Sequence, residues 1–108
     1  MSIIEQAMSH FSSQEVRSME VPEWKATVWA KPITMAQKGK WLQMAKGSNT
    51  AFLLYAVIGG ALDKDLKPIF TIEDLDALRH KVDPNVTSGV AMFILGTDSI
   101  PEEEQEKN

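Results

Sequence analysis

The chain has 108 residues, a formal net charge of -4 and no cysteine. One domain of this length buries about two-thirds of its unfolded surface without a staple, and the missing thiols exclude disulfides, thiolate metal sites and a cysteine nucleophile, as expected of a protein used in a reducing cytoplasm. The longest apolar run is 12 residues, short of the roughly 20 needed to span a bilayer, and MSIIEQAMSHF has neither the basic n-region nor the cleavage site of a signal peptide; the expectation is a soluble, cytosolic protein.

Charge is unevenly placed. Residues 97–108 hold Asp98, Glu102, Glu103, Glu104 and Glu106 against Lys107, which accounts for the whole excess of -4. Between Arg17 and Lys46 six basic residues face only Glu20 and Glu23. Such a segment could meet an acidic partner, although a solvated helix face is the simpler reading.

In chain order, Ile3, Ala7 and Phe11 recur every four residues with Ile4 and Met8 beside them, which predicts a short amphipathic helix. Val16–Val21 and Trp24–Ala30 flank Pro22-Glu23, a turn dipeptide with its φ preset by proline, and predict a β-hairpin. Trp24, Ala26, Val28 and Ala30 share the face expected to pack inward. Trp29 falls on the other face, either as a partly exposed aromatic of the kind enriched in interfaces or covered by another helix.

Thr34 is a good N-cap, and Met35 to Lys46 consists mostly of strong helix formers. Its expected buried stripe is Met35, Leu42 and Ala45, with Trp41 and Met44 adjacent, and Gly47 ends it. Ser48, Asn49 and Thr50 are candidate caps for the next helix, whose residues from Ala51 to Leu62 are all apolar or glycine. A helix apolar all round is normally buried, so this is the expected core element, antiparallel to its predecessor. At Gly59-Gly60 either the helix stops or another backbone approaches closely.

A polar turn, Asp63-Lys64-Asp65-Leu66-Lys67-Pro68, leads to Thr71-Ile72-Glu73-Asp74, a capping-box-like start. Its acidic first turn and its Arg79, His80 and Lys81 both suit the helix dipole; Ile72, Leu75, Leu78 and Val82 give the stripe. Asp83-Pro84 opens a last helix, Val86 to Leu95, stopped by Gly96. It is apolar over more than one face, so a subunit contact could take what the monomer does not bury. The fold class expected is α+β and mostly helical: an N-terminal helix, one hairpin, then about four helices round the apolar one. Residues 1–96 form the domain and 97–108 a flexible acidic tail.

No catalytic constellation stands out. His10 and His80 lack metal-ligand spacing. Asp63, Asp65 and Asp74 suggest a calcium loop, but Lys67 and Pro68 occupy the fifth and sixth positions, where an EF-hand needs a ligand and a glycine. Phosphate-cradling loops and nucleophile elbows are absent, and an acidic chain with core-compatible tryptophans argues against nucleic acid. The residues point away from an enzyme and imply neither cofactor nor metal; by themselves they do not say what the protein does.

Two stretches carry a family resemblance. Val21-Pro22-Glu23-Trp24 before a strand, and DKDLKPIFTIEDL between the apolar helix and an acidic-start helix, resemble the tail assembly chaperones of long-tailed bacteriophages over roughly residues 16–95. The second is similar to that family's D-x-D-G-K-P-x-F-T-x-E-D stretch. Leu66 stands where glycine is expected, and Lys25 where a glycine often follows the tryptophan.

The resemblance implies a non-virion protein of the infected host's cytoplasm that coats the tape measure protein while the tail tube polymerises, and that self-associates. It also implies a frameshifted longer product recruiting tail tube subunits. Glu106-Lys107-Asn108 can be encoded as GAA AAA AAC, which contains a slippery A AAA AAC. On this reading Trp29, Trp41, Met44, Met92 and Leu95 are the candidate partner or self-association residues, and neither membrane nor nucleic acid is a partner. The alternatives are a small structural tail or tail-completion protein of the virion, and an accessory subunit of an enzyme.

Overall fold

In the computed structural model, which describes residues 2–96, α1 (Ile3–Ser13) precedes a hairpin of β1 (Arg17–Val21) and β2 (Ala26–Ala30). Then come α2 (Met35–Ala45), α3 (Asn49–Gly60), α4 (Leu75–His80) and α5 (Pro84–Leu95). The architecture is the expected mostly helical α+β. The acidic segment beyond Gly96, including the Glu106-Lys107-Asn108 end, lies outside the described residues.

Helix α3 is the centre of the fold, and α2, α4 and α5 all pack on it. The Ser48 hydroxyl starts it by accepting the Ala51 N–H at 3.1 Å, the role of a serine N-cap. Ala51, Leu54, Ala56, Val57 and Gly60 are buried along it, while Phe52, Leu53, Tyr55 and Ile58 are partly buried against the same core. The glycine pair is also settled: the helix ends at Gly60, and side chains rather than a backbone approach it. A Cβ on Gly59 would fall 2.6 Å from the Trp41 indole nitrogen, and one on Gly60 would collide with Ile94.

The hairpin departs from the expected two-residue turn. Pro22–Trp24 form a 3-10 turn closed by the Lys25 N–H donating to the Pro22 carbonyl at 3.0 Å, with Lys25 left-handed at φ 53°. Trp24 is thus outside the strand, and pairing begins at Val21 opposite Ala26. Val28 and Ala30 are buried as predicted, but Ala26 is exposed. The free edge of β2 is taken by Leu62, which exchanges backbone hydrogen bonds with Trp29 at 2.8 and 2.9 Å. Leu62 in turn bridges to Pro68 across the polar turn. Covering an edge in this way removes a template for unwanted pairing.

Helix α2 opens with a capping box: Gln37 N–H donates to the Thr34 hydroxyl at 3.2 Å, and Thr34 N–H to the Gln37 side chain at 3.0 Å. Its predicted stripe is corrected. Met35 is 82% exposed and Leu42 51%, whereas Trp41 and Ala45, four residues apart, are buried. The helix meets the remainder of the chain chiefly through α3, so one narrow line is covered and the flanking apolar residues are not.

The helix expected from Thr71 starts as a 3-10 turn, Ile72–Asp74, in which the Asp74 carboxylate accepts the Thr71 N–H at 2.9 Å. Ile72 is exposed, and only Leu75, Leu78 and Val82 of its stripe reach the core. Asp83 caps α5 by accepting the Asn85 N–H at 2.8 Å. At the other end of α5 Arg17 donates to the Phe93 carbonyl at 2.8 Å, its guanidinium 4.7 Å from the Phe93 ring centroid. A cation at the negative end of a helix, stacked on an aromatic face, ties the hairpin to α5.

Candidate partner-binding surface

The sequence singled out Trp29, Trp41, Met44, Met92 and Leu95, and the fold exposes them to different degrees. Trp41 is 6% exposed and belongs to the core, pressed on Gly59 and Gly60; the exposure allowed for it is not found. Trp29 is half-buried on the β2 face opposite Val28 and Ala30, and Leu95 is half-buried against the core. Met44 on α2 and Met92 on α5 are exposed.

The more extensive apolar exposure is on α1. Ile3 is 79% exposed, Ile4 65% and Met8 62%, with Phe11 beside them, and α1 has no buried residue. Ile4, Met8 and Phe11, at spacings of four and three, lie on one face. An 11-residue helix is marginal alone in water, which makes this exposed apolar face the candidate interaction surface of the fold. The spacing was visible in the sequence, but periodicity alone reads as burial.

Two grooves are lined mainly by the core elements. One of about 320 Å³ runs between the hairpin and α4, with Trp24, Val28, Ile69, Phe70, Leu78 and Val82 on its walls. Trp24 and Phe70 meet edge to face there, centroids 5.9 Å apart, the arrangement ring quadrupoles prefer. The second, about 560 Å³, lies between the end of α1 and α2, over Trp41 and Leu62, with Lys31, Ile33 and Gln37 on its rim. The first has almost wholly apolar walls, without the convergent polar groups of a ligand cleft, whereas Ser12, Gln14, Lys31, Thr34 and Gln37 add polar groups to the second.

One Asp63 carboxylate oxygen accepts both the Asp65 N–H at 2.8 Å and the Lys67 N–H at 3.0 Å. Asp63 therefore fastens the turn, as Asx turns do. Among the described residues no three histidines or carboxylates are grouped to hold a metal ion, and no helix is long and apolar enough to cross a membrane.

Neither the protein-family models nor the curated proteins contain a match to this sequence. The fold does have a counterpart among solved structures. The tail assembly chaperone of bacteriophage HK97 is similar over 90% of this chain and 98% of its own, with a TM-score of 0.61 at 18% identity. The chain therefore has the fold of that chaperone. The two positions at which the sequence lacks the expected family glycines, Lys25 and Leu66, have φ of 53° and 63°, the left-handed region that glycine enters without steric cost.

Proposed function

We propose that this protein is a tail assembly chaperone of a long-tailed bacteriophage, acting by stoichiometric binding rather than by catalysis. The observation that carries the reading is the fold shared with the HK97 chaperone over nearly the full length of both chains. It is supported by VPEW and DKDLKPIFTIEDL, which the resemblance picked out and which form the hairpin turn and the polar turn of this fold.

In mechanistic terms, the client is the tape measure protein, a long helical chain with apolar surface that needs masking until the tail tube encloses it. The exposed apolar face of α1, with Met44 and Met92, supplies surface for that client or for a second copy of the chaperone. Work is done in the host cytoplasm, without cofactor, and the protein is left out of the finished particle. A frameshifted product, extended beyond the acidic segment, recruits the tail tube protein.

The test is co-expression with the tape measure protein of the same genome. Its soluble fraction rises with the chaperone present; unchanged aggregation overturns the reading, and recovery of the chain from purified particles would favour a virion component. The double variant Ile4→Asp, Met8→Asp separates binding from folding, because α1 contributes no buried residue to the core. It is expected to keep the native melting temperature while losing client rescue and concentration-dependent oligomers in light scattering.

A further inference from the structure

Strand β1 has an open outer edge, and the hydrogen-bond register shows which groups it offers there. In an antiparallel pair, opposed residues alternate between those that exchange backbone hydrogen bonds and those that do not. Trp29 spends its N–H and its carbonyl on Leu62, so both point away from Ser18, the residue opposite it on β1. Ser18 and Trp29 are therefore a non-bonded pair, and by the same alternation so are Glu20 and Thr27. The N–H and carbonyl groups of Ser18 and Glu20 point outward from β2. Both residues are exposed, and no other described residue bonds to these four groups.

A groove of about 250 Å³ runs beside them, with Met19, Glu20 and Val21 on one wall, Val86 and Gly89 of α5 on the other, and Glu23 at its rim. Successive residues of a strand face opposite ways, so a groove touching three in a row follows the strand's edge rather than one of its faces. Val21 is already buried, but Met19, Val86 and Gly89 are half-buried, and Glu20 and Glu23 are exposed. A Cβ on Gly89 would meet nothing within 4 Å, so the α5 wall stands open there. No basic residue lines the groove. Arg17 is turned to the carbonyl and ring of Phe93, and Lys25, beyond the turn, is not on these walls.

We infer that the β1 edge takes a further strand from a partner chain, an extended segment in which apolar and basic residues alternate. Its backbone pairs with the outward groups of Ser18 and Glu20. The added strand continues the pleat of β1: its side chains on the Met19 side meet Val86 and the open flank at Gly89, and those on the Glu20 side meet the glutamate carboxylates. Strand addition draws affinity from the main chain and selectivity from alternate side chains. Charge sets the selectivity here. A second copy of β1, or the acidic residues 97–108, would bring glutamate to glutamate, and like charges across a strand pair are destabilising. The other edge of the hairpin is closed to such a partner, because Leu62 occupies it. The inference goes beyond the chaperone reading and does not rest on it.

The test uses the full chain, 15N-labelled and observed by NMR at low salt. In the free protein the amides of Ser18 and Glu20 are expected to exchange far faster than those of Met19 and Val21, which bond to β2. A short blocked peptide alternating valine and lysine then shifts the Ser18, Glu20 and Gly89 resonances. At about ten times its Kd it slows the two outward amides about tenfold. The double variant Glu20→Gln, Glu23→Gln weakens binding about fivefold. Gly89→Leu, whose side chain enters the groove, abolishes binding while the melting temperature is kept or raised. Outward amides already slow in the free chain, no binding of the peptide, or equal binding of a peptide of valine and glutamate each overturn the inference. So do shifts centred away from β1 and binding undiminished in either variant.

Discussion

Trp29 and Leu62 exchange two backbone hydrogen bonds, the N–H of each donating to the carbonyl of the other at 2.8 and 2.9 Å. Trp29 is paired on its other side with Ser18, so β2 is flanked on both edges, and the exit of α3 is locked to the hairpin 33 positions earlier in the chain. Bonds of this kind open only when the whole structure does. The amides of Trp29 and Leu62 are expected in the slowest class of native-state hydrogen exchange, while those of Glu5 to Ser13 in α1 exchange orders of magnitude faster. Comparable rates in the two groups would contradict the docking of the turn on the hairpin.

Lys25 and Leu66 sit at φ 53° and 63°, where a side chain crowds the backbone at a cost of about 1–2 kcal/mol that glycine avoids. Lys25 is exposed and loses nothing else, so Lys25→Gly is expected to raise stability by about 1 kcal/mol. That corresponds to roughly 4–8 °C in melting temperature for a domain of this size. Leu66 is half-buried and lines the Trp41 groove, so Leu66→Gly gains less. Denaturant unfolding of both variants checks the order: a destabilised Lys25→Gly would mean that its left-handed turn is not strained.

Local chemistry was the legible part of this fold. Thr34, Ser48 and Asp83 announce helix starts because a cap needs only its own next three residues, and all three accept the expected N–H. What a neighbour decides was not legible. Periodicity grouped Met35 with Leu42 and Ala45, but whether a stripe is covered depends on where α3 lies, and with Ala45 it is Trp41, not Met35 or Leu42, that is buried. The Trp29–Leu62 bridge involves backbone groups alone, which every sequence possesses. For the candidate surface, Ile4, Met8 and Phe11 were seen as a face; that none of them is buried is a property of the assembled domain.

Two helical glycines should respond to alanine with opposite sign. At Gly39, in α2, an added Cβ meets nothing within 4 Å, so Gly39→Ala gains helix propensity of about 0.5–1 kcal/mol. At Gly60 the same methyl meets Ile94, which is 1% exposed and cannot step aside into solvent. Overpacking of this kind costs about 1–3 kcal/mol, and it is expected to separate α3 from α5. Thermal unfolding of the pair is the measurement, and two shifts of the same sign would place the α3–α5 contact elsewhere.

The start of α1 should be pH-sensitive through Glu5. Its carboxylate accepts the Ser2 backbone N–H at 3.0 Å and the Ser2 hydroxyl at 3.1 Å, and these bonds, the backbone one foremost, hold its pKa below the ordinary 4.5. A carboxylate with a lowered folded pKa stabilises the fold fully above its unfolded value and loses that contribution as pH falls through the folded value. The capping box is therefore intact at neutral pH and is lost only as pH falls through this lowered value, below the ordinary glutamate range. Because α1 buries no residue, the expected result is fraying of its first turn, read as faster exchange and smaller helical carbon shifts at Ile3 to Gln6, with the α3 amides unchanged. Glu5→Gln removes the titrating group, so its first turn should respond no further to pH between 6 and 3; a response equal to that of the parent chain would assign the effect to another carboxylate.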